Sequence, residues 1–263
     1  MTRPSSAGRP AKASKVQNPS KSAPGTLRRF YDQLVRAYGP RQWWPAKTSL
    51  EVVVGAYLTQ NTAWTSVEKS IANLEARGLL SVEALREIAE EELRLLIRPS
   101  GYMIRKAAAI KAFIAFLDDT YGGSMEKLAA VPAETTRTQL LALPGVGPET
   151  ADAILLYALH QPAMVVDEYL RRVVTRHGLL PAKARYADIQ ALAMAAFRDD
   201  EPSGLTKHFN EFHAVVVETG KLHCRRMPKC DGCPLAFDLE RIGGRPVLSQ
   251  WPVTEKPFVP GIP

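Results

Sequence analysis

Asp167 stands in Val166-Asp167-Glu168-Tyr169, directly ahead of a helical run. An acid there has two uses. Its side-chain oxygen can cap the helix, or its charge can stabilise a cation and orient a water. The residue type leaves both open. Upstream, Leu143-Pro144-Gly145-Val146-Gly147 leads into Pro148-Glu149-Thr150. Glycines two apart permit backbone angles and close approaches that side chains block, and proline suits the first position of a helix. Backbone amides at such a helix start favour an anion, a phosphate in particular. The same residues also make a plain tight turn between two helices.

Other residues point to binding. Trp43-Trp44-Pro45 offers an aromatic surface for a planar group, or a wedge between helical layers. Gln60 and Asn61 follow an apolar run and read either as polar contacts to a ligand or as a helix-end pair. Tyr57, within that run, could line a pocket or belong to the core. Cys224-x5-Cys230-x2-Cys233 supplies three thiols, one short of a closed four-ligand site for zinc or iron–sulfur. Arg171, Arg172 and Arg176 beyond Asp167, and Lys221, Arg225, Arg226 and Lys229 around the cysteines, could meet phosphates or simply form solvated faces.

These residues need elements to hold them. Apolar spacing predicts helices over 27–38, 50–59, 67–77, 103–117, 186–198 and 207–220, with one from Ser81 to about Ile97. The stretch 140–160 reads as helix, turn, helix, and 164–177 as a short apolar lead, Asp167 and another helix. No strand hairpin stands out, so the fold class is all-α, with about ten helices and short connections. The chain has 263 residues, 46% of them hydrophobic and 23% charged, which excludes wholesale disorder. No apolar run reaches the roughly 20 residues needed to span a bilayer.

The net charge of +7 is unevenly placed. Arg3, Arg9, Lys12, Lys15 and Lys21 sit in residues 1–25 with no acid, leaving 29 basic and 27 acidic residues elsewhere. That Ser-, Pro- and Gly-rich segment reads as a disordered basic tail, either solubilising or a loose polyanion contact. Residues 240–263 read as an extended tail. With no apolar signal core at the start and an odd, small cysteine count, a reducing, cytoplasmic compartment is expected.

LPGVGPETADAIL followed by VVDEYLRRV resembles the helix–hairpin–helix DNA glycosylases of the endonuclease III superfamily, with Glu149 and Asp167 spaced by 18 as in that family. GAYLTQNTAW, SGYMIRKAAAIKAF and the cysteine loop are similar to further family motifs in the same order, so the resemblance covers about Leu27 to Leu239. It implies a two-domain helical fold with a DNA-binding cleft: 48–161 as a helical barrel with the hairpin, and 26–47 plus 162–239 as the second domain. It implies base flipping on double-stranded DNA carrying a damaged base, by a monomer, with Asp167 as the catalytic aspartate. The hairpin residues 143–147, Glu149 and Thr150 would hold phosphate, and Gln60 and Asn61 would fill the gap.

Two departures carry mechanism. Bifunctional members use a hairpin lysine as Schiff-base nucleophile. Here that position is Glu149, and no lysine lies between Thr135 and Asp167. The expected enzyme is therefore monofunctional, without efficient strand cleavage. The family's fourth cluster cysteine corresponds to Leu239, so an intact 4Fe–4S cluster is not expected and no cofactor is required; His223 or Asp238 would be the substitute ligand in an altered metal site. The Trp-Trp-Pro loop with TQNTAW resembles the 3-methyladenine branch, which implies cationic alkylated purines as substrate. The alternatives are a mismatch-directed adenine or thymine glycosylase, and an inactive helix–hairpin–helix DNA-binding protein.

Overall fold

The computed structural model describes residues 22–248 except Gln42. Among these residues there is no strand, and no helix is long and apolar enough to cross a membrane. Helix α1 (Ala23–Tyr38) starts inside the predicted tail: Pro24 falls in its first turn and Ala23 is buried, so the tail reading for 22–25 gives way to helix. Residues 1–21 lie outside the described residues. α2 (Ser49–Leu58), capped by Thr48 Oγ1 accepting from Glu51 N, buries eight of its ten residues and forms the centre of the fold. α3 (Trp64–Ala76) follows.

The single helix predicted from Ser81 to Ile97 is two helices, α4 (Val82–Glu87) and α5 (Glu90–Leu96). The chain is extended at Ile88 and Ala89, where Ile88 turns into the core. The three glutamates Glu90–Glu92 restart the helix where the dipole favours acids. α6 (Met103–Tyr121) is closed by Gly122 in a left-handed conformation. Then come α7 (Met125–Ala129), which the sequence pattern did not reveal, α8 (Ala133–Leu141), and α9 (Pro148–Ala153), which runs on as a π-helical turn over Ile154–Ala158. α10 (Glu168–Arg176), α11 (Tyr186–Ala195) and α12 (Leu205–Leu222) complete the set.

Helices α1, α10, α11 and α12 pack on one another, and α2 to α9 form the second group, with the π turn joining α2 to α12. One cluster of buried apolar residues runs through both. The predicted C-terminal tail begins too early: Ala236–Ile242 is a 3-10 helix, and Val247 N donates to Arg176 O at 2.9 Å. Residues 249–263 lie outside the described residues.

Candidate active site

The segment leading to Asp167 is fixed from two sides. Residues 163–166 are buried and non-helical. Gln190 Nε2 donates to Met164 O at 2.8 Å, and Val166 N donates to Tyr186 Oη at 3.2 Å. Both side chains also reach Asp152 Oδ2, at 2.7 Å each, and Arg137 Nε meets Asp152 Oδ1 at 2.6 Å. Asp152 is fully buried, and these donors satisfy its oxygens, as a buried polar group requires.

Asp167 then takes up the first of its two possible uses. It is the N-cap of α10, with Oδ1 accepting from Leu170 N at 2.7 Å. Its other oxygen, Oδ2, lies 3.6 Å from His213 Nε2 on α12. Capping therefore occupies one oxygen, and the second stays turned toward the imidazole. The residue is 9% exposed, at the edge of solvent rather than sealed in. His213 Nδ1 lies 2.5 Å from the hydroxyl of Tyr157, on the π turn. Burial raises the Tyr157 phenol well above its ordinary pKa, keeping it protonated.

Glu149, the second residue of α9, is open to solvent yet has many protein atoms around its carboxyl. Those surroundings raise its carboxyl to about 7, helped by the Asp167 charge and opposed by His213. The two acids and the imidazole thus share one neighbourhood.

The hairpin needs its glycine at 145: φ is +78°, and a Cβ there would sit 3.1 Å from Ala109 Cβ. Gly147 N-caps α9 without a side chain, leaving the first-turn amides of Glu149 and Thr150 without a cap. Pro144 is exposed, while Leu143 and Val146 pack against the core. Gln60 Nε2 donates to Gly145 O at 2.9 Å and to buried Thr150 Oγ1 at 3.0 Å, so it ties the end of α2 to the hairpin. Asn61 is exposed with φ +51°. Neither is the cap of α2; Thr59 is. Lys106 Nζ binds Leu58 O, Thr62 Oγ1 and Ser100 O within 2.8 Å, fixing this loop beside exposed Tyr102.

Trp43 and Trp44 are half-buried and Pro45 is exposed. Trp44 lies against Gly55, where a Cβ would come within 3.2 Å of its ring. Its ring centroid is 5.3 Å from that of Trp64 and 5.4 Å from that of Tyr157, and Trp43 is 6.0 Å from Trp64. Lys221 Nζ lies 5.2 Å over Trp43. The aromatic cluster therefore continues through Tyr157 and His213 to Asp167. Tyr57 is excluded from it. That residue is 1% exposed and packs on Phe113, because its place on α2 faces α6. The pocket reading for Tyr57 is corrected to core. Trp64, Tyr157 and His213 escaped the sequence reading; Trp64 had a signal, its place within TQNTAW.

Cys224, Cys230 and Cys233 are free thiols, each half-buried. A cation, Arg176 Nη1, approaches Cys224 Sγ at 3.2 Å and also binds Arg225 O. Arg172 Nη1 donates to Cys224 O at 2.8 Å, and Arg171 Nη1 to Ala184 O at 2.6 Å. These arginines hold loops. Asp238 is engaged by His177 at 2.8 Å and by Arg241, so it is no spare ligand. Among the described residues no three His, Cys, Asp or Glu side chains converge to hold a metal ion. The donor set of a four-thiolate cluster is not assembled here.

A helical scaffold with a glycine hairpin and an aspartate at the next helix start is the architecture of the helix–hairpin–helix DNA glycosylases. The H. pylori 3-methyladenine DNA glycosylase bound to 1,N6-ethenoadenine superposes with a TM-score of 0.66 at 26% identity, covering 76% of this chain and 97% of that one. A non-covalent endonuclease III–DNA complex gives a TM-score of 0.68 at 23% identity, covering 83% and 98%, a likeness of fold. Residues 54–199 match the HhH-GPD superfamily of base excision DNA repair proteins, and the chain belongs to that superfamily. The "putative DNA repair glycosylase" of Methanocaldococcus jannaschii is 41% identical over 209 residues, 79% of this chain and 92% of that protein. The thymine-DNA glycosylase of Aeropyrum pernix is 27% identical over 213 residues, 80% and 91% of the two chains.

Proposed function

We propose that this protein is a monofunctional DNA N-glycosylase that excises cationic alkylated purines, 3-methyladenine in particular, from double-stranded DNA as a monomer and without an iron–sulfur cluster. The observation that carries this reading is the Asp167 carboxylate, with Oδ2 left over from capping, joined through His213 and Tyr157 to the tryptophan cluster.

The hairpin amides, braced by Gln60, hold the strand while the damaged nucleotide rotates out. The cationic purine rests on the indoles, where cation–π attraction is worth about 0.5–2 kcal/mol. The C1′–N bond breaks and its electron pair leaves with the purine, which departs neutral. Positive charge passes to the sugar ring, where Asp167 stabilises it. Water adds to C1′ and gives up one proton, to the carboxylate in the first instance. Glu149 stands where an amine would make an imine, and a carboxyl cannot, so no covalent adduct forms. The named ligand of the H. pylori enzyme supports the purine reading.

The test is base release from defined duplexes carrying 3-methyladenine, 1,N6-ethenoadenine or a G·T mismatch. Release of the alkylated bases by the wild type, its loss with retained binding in Asp167→Asn, and no borohydride-trapped adduct are expected. Preferential thymine release would replace the substrate assignment with the mismatch reading. Equal activity of wild type and Asp167→Asn would remove the assigned catalyst.

A further inference from the structure

We propose that His213 is a positioning residue for the Asp167 carboxylate, its Nε2–H aimed at Oδ2 and its tautomer set by the hydroxyl of Tyr157. The inference rests on the glycosylase reading of Asp167 and adds the group that orients the acid.

A carboxylate that must face a developing cation has to be held in one plane. A single cap bond, Leu170 N to Oδ1, leaves rotation about that contact. A second donor from another element removes it. His213 comes from α12, its side chain 9% exposed, and its Nε2 lies 3.6 Å from Oδ2. That separation is longer than a hydrogen bond and short enough for an N–H dipole to act on the anion. The imidazole lone pair would repel the carboxylate, so Nε2 carries the hydrogen. Nδ1 is then the acceptor, and Tyr157, 4% exposed, donates to it at 2.5 Å. The link thus consists of one hydrogen bond, Tyr157 to Nδ1, and one longer electrostatic contact, Nε2 to Oδ2.

The location also matters. Tyr157 touches Trp44 on one side and His213 on the other, so one residue is wall to the aromatic cluster and support for the acid. A buried apolar side chain at 213 would fill the same space between α12 and the π turn. An imidazole with both nitrogens directed at polar groups does more than fill space.

The experiment uses the full chain and a duplex containing 1,N6-ethenoadenine. Single-turnover base release and duplex binding are measured for wild type, His213→Ala, His213→Gln and Tyr157→Phe. His213→Ala is expected to slow release on the order of 10–100-fold, as misplacement of a catalytic group does, with binding changed by less than about threefold. His213→Gln, which keeps an N–H donor, and free imidazole added to His213→Ala should each restore part of the rate. A folded His213→Ala with a rate within twofold of wild type overturns the inference. So does a loss that tracks melting temperature and binding, with no rescue.

Nitrogen NMR of the wild-type imidazole gives a readout independent of turnover. The Nε2–H tautomer, lost or mixed in Tyr157→Phe, is expected; an Nδ1–H tautomer overturns the inference. A wild type that releases no base from any duplex, yet shows the Nε2–H tautomer, would sink the functional reading while leaving the positioning intact.

Discussion

The Tyr186 hydroxyl donates to Asp152 Oδ2 at 2.7 Å, and its own oxygen accepts the Val166 N–H at 3.2 Å. A buried acid in the hairpin's second helix is thereby linked to the residue just before Asp167. The position of the candidate catalyst is a property of this link as much as of its own helix cap.

Removing Asp152 strands its donors. Arg137 keeps partial access to water, but Tyr186 and Gln190 lose their common acceptor. Asp152→Ala is expected to cost about 3 kcal/mol of stability, within the range for breaking a buried charged pair. Urea unfolding measures it; a change below about 0.5 kcal/mol, the range of an ordinary surface substitution, would show that the network contributes little.

Lys106 donates to three oxygens: Leu58 O at the end of α2, Thr62 Oγ1 and Ser100 O. Lys106→Met keeps the stem and removes all three hydrogen bonds. A loss of about 1–3 kcal/mol follows from taking this donor away from the Leu58 carbonyl, while Ser100 O keeps the Thr62 hydroxyl. Faster amide exchange around Thr62 and Ser100 should accompany it, and unchanged exchange there would contradict the assignment.

α10 and α12 approach closely because position 220 carries no side chain. A Cβ on Gly220 would overlap the ring of Tyr169. Gly220→Ala should therefore destabilise the protein by about 1–3 kcal/mol through overpacking. Combining it with Tyr169→Ala should recover part of that loss, which a double-mutant cycle would read as coupling.

The Glu149 carboxyl is raised to about 7 by its surroundings and by Asp167. The folded state therefore binds more protons than the unfolded one between the ordinary glutamate range and pH 7. Its destabilising contribution grows as pH rises through that window and is complete above it. Glu149→Gln should gain stability relative to wild type at pH 8 but not at pH 4. A melting-temperature difference that does not change with pH would speak against the raised value.

Glu149→Lys places an amine at the hairpin position that carries a carboxyl in the wild type. With an amine at that position, borohydride is expected to trap a protein–DNA adduct on a lesion duplex. Absence of trapping by a folded, DNA-binding variant would show that position 149 does not face the sugar carbon.

Local chemistry made much of this protein legible in its sequence. Gly145 and Pro148 announce the hairpin because backbone angles and a helix start depend on neighbours in the chain. Asp167 announces a helix end for the same reason, and the apolar spacing of 27–38 or 103–117 is enough to declare a helix. The missing hairpin lysine and the missing fourth cysteine are also plain in the one-letter string.

Tertiary structure decided what those residues meet. His213 and Tyr157 are separated by 56 positions, and no local pattern pairs them. Helix α12 brings one to the other, and His213 to the oxygen that the Asp167 cap leaves over. Tyr57 went to the core and Trp64 to the aromatic cluster because the packing of α2 and α3 selected their directions. Ile88 broke a helix that spacing had joined, since burying its side chain outweighed continuing the helix. Short-range geometry is written along the chain; the company each side chain keeps depends on distant elements competing for the same interior volume.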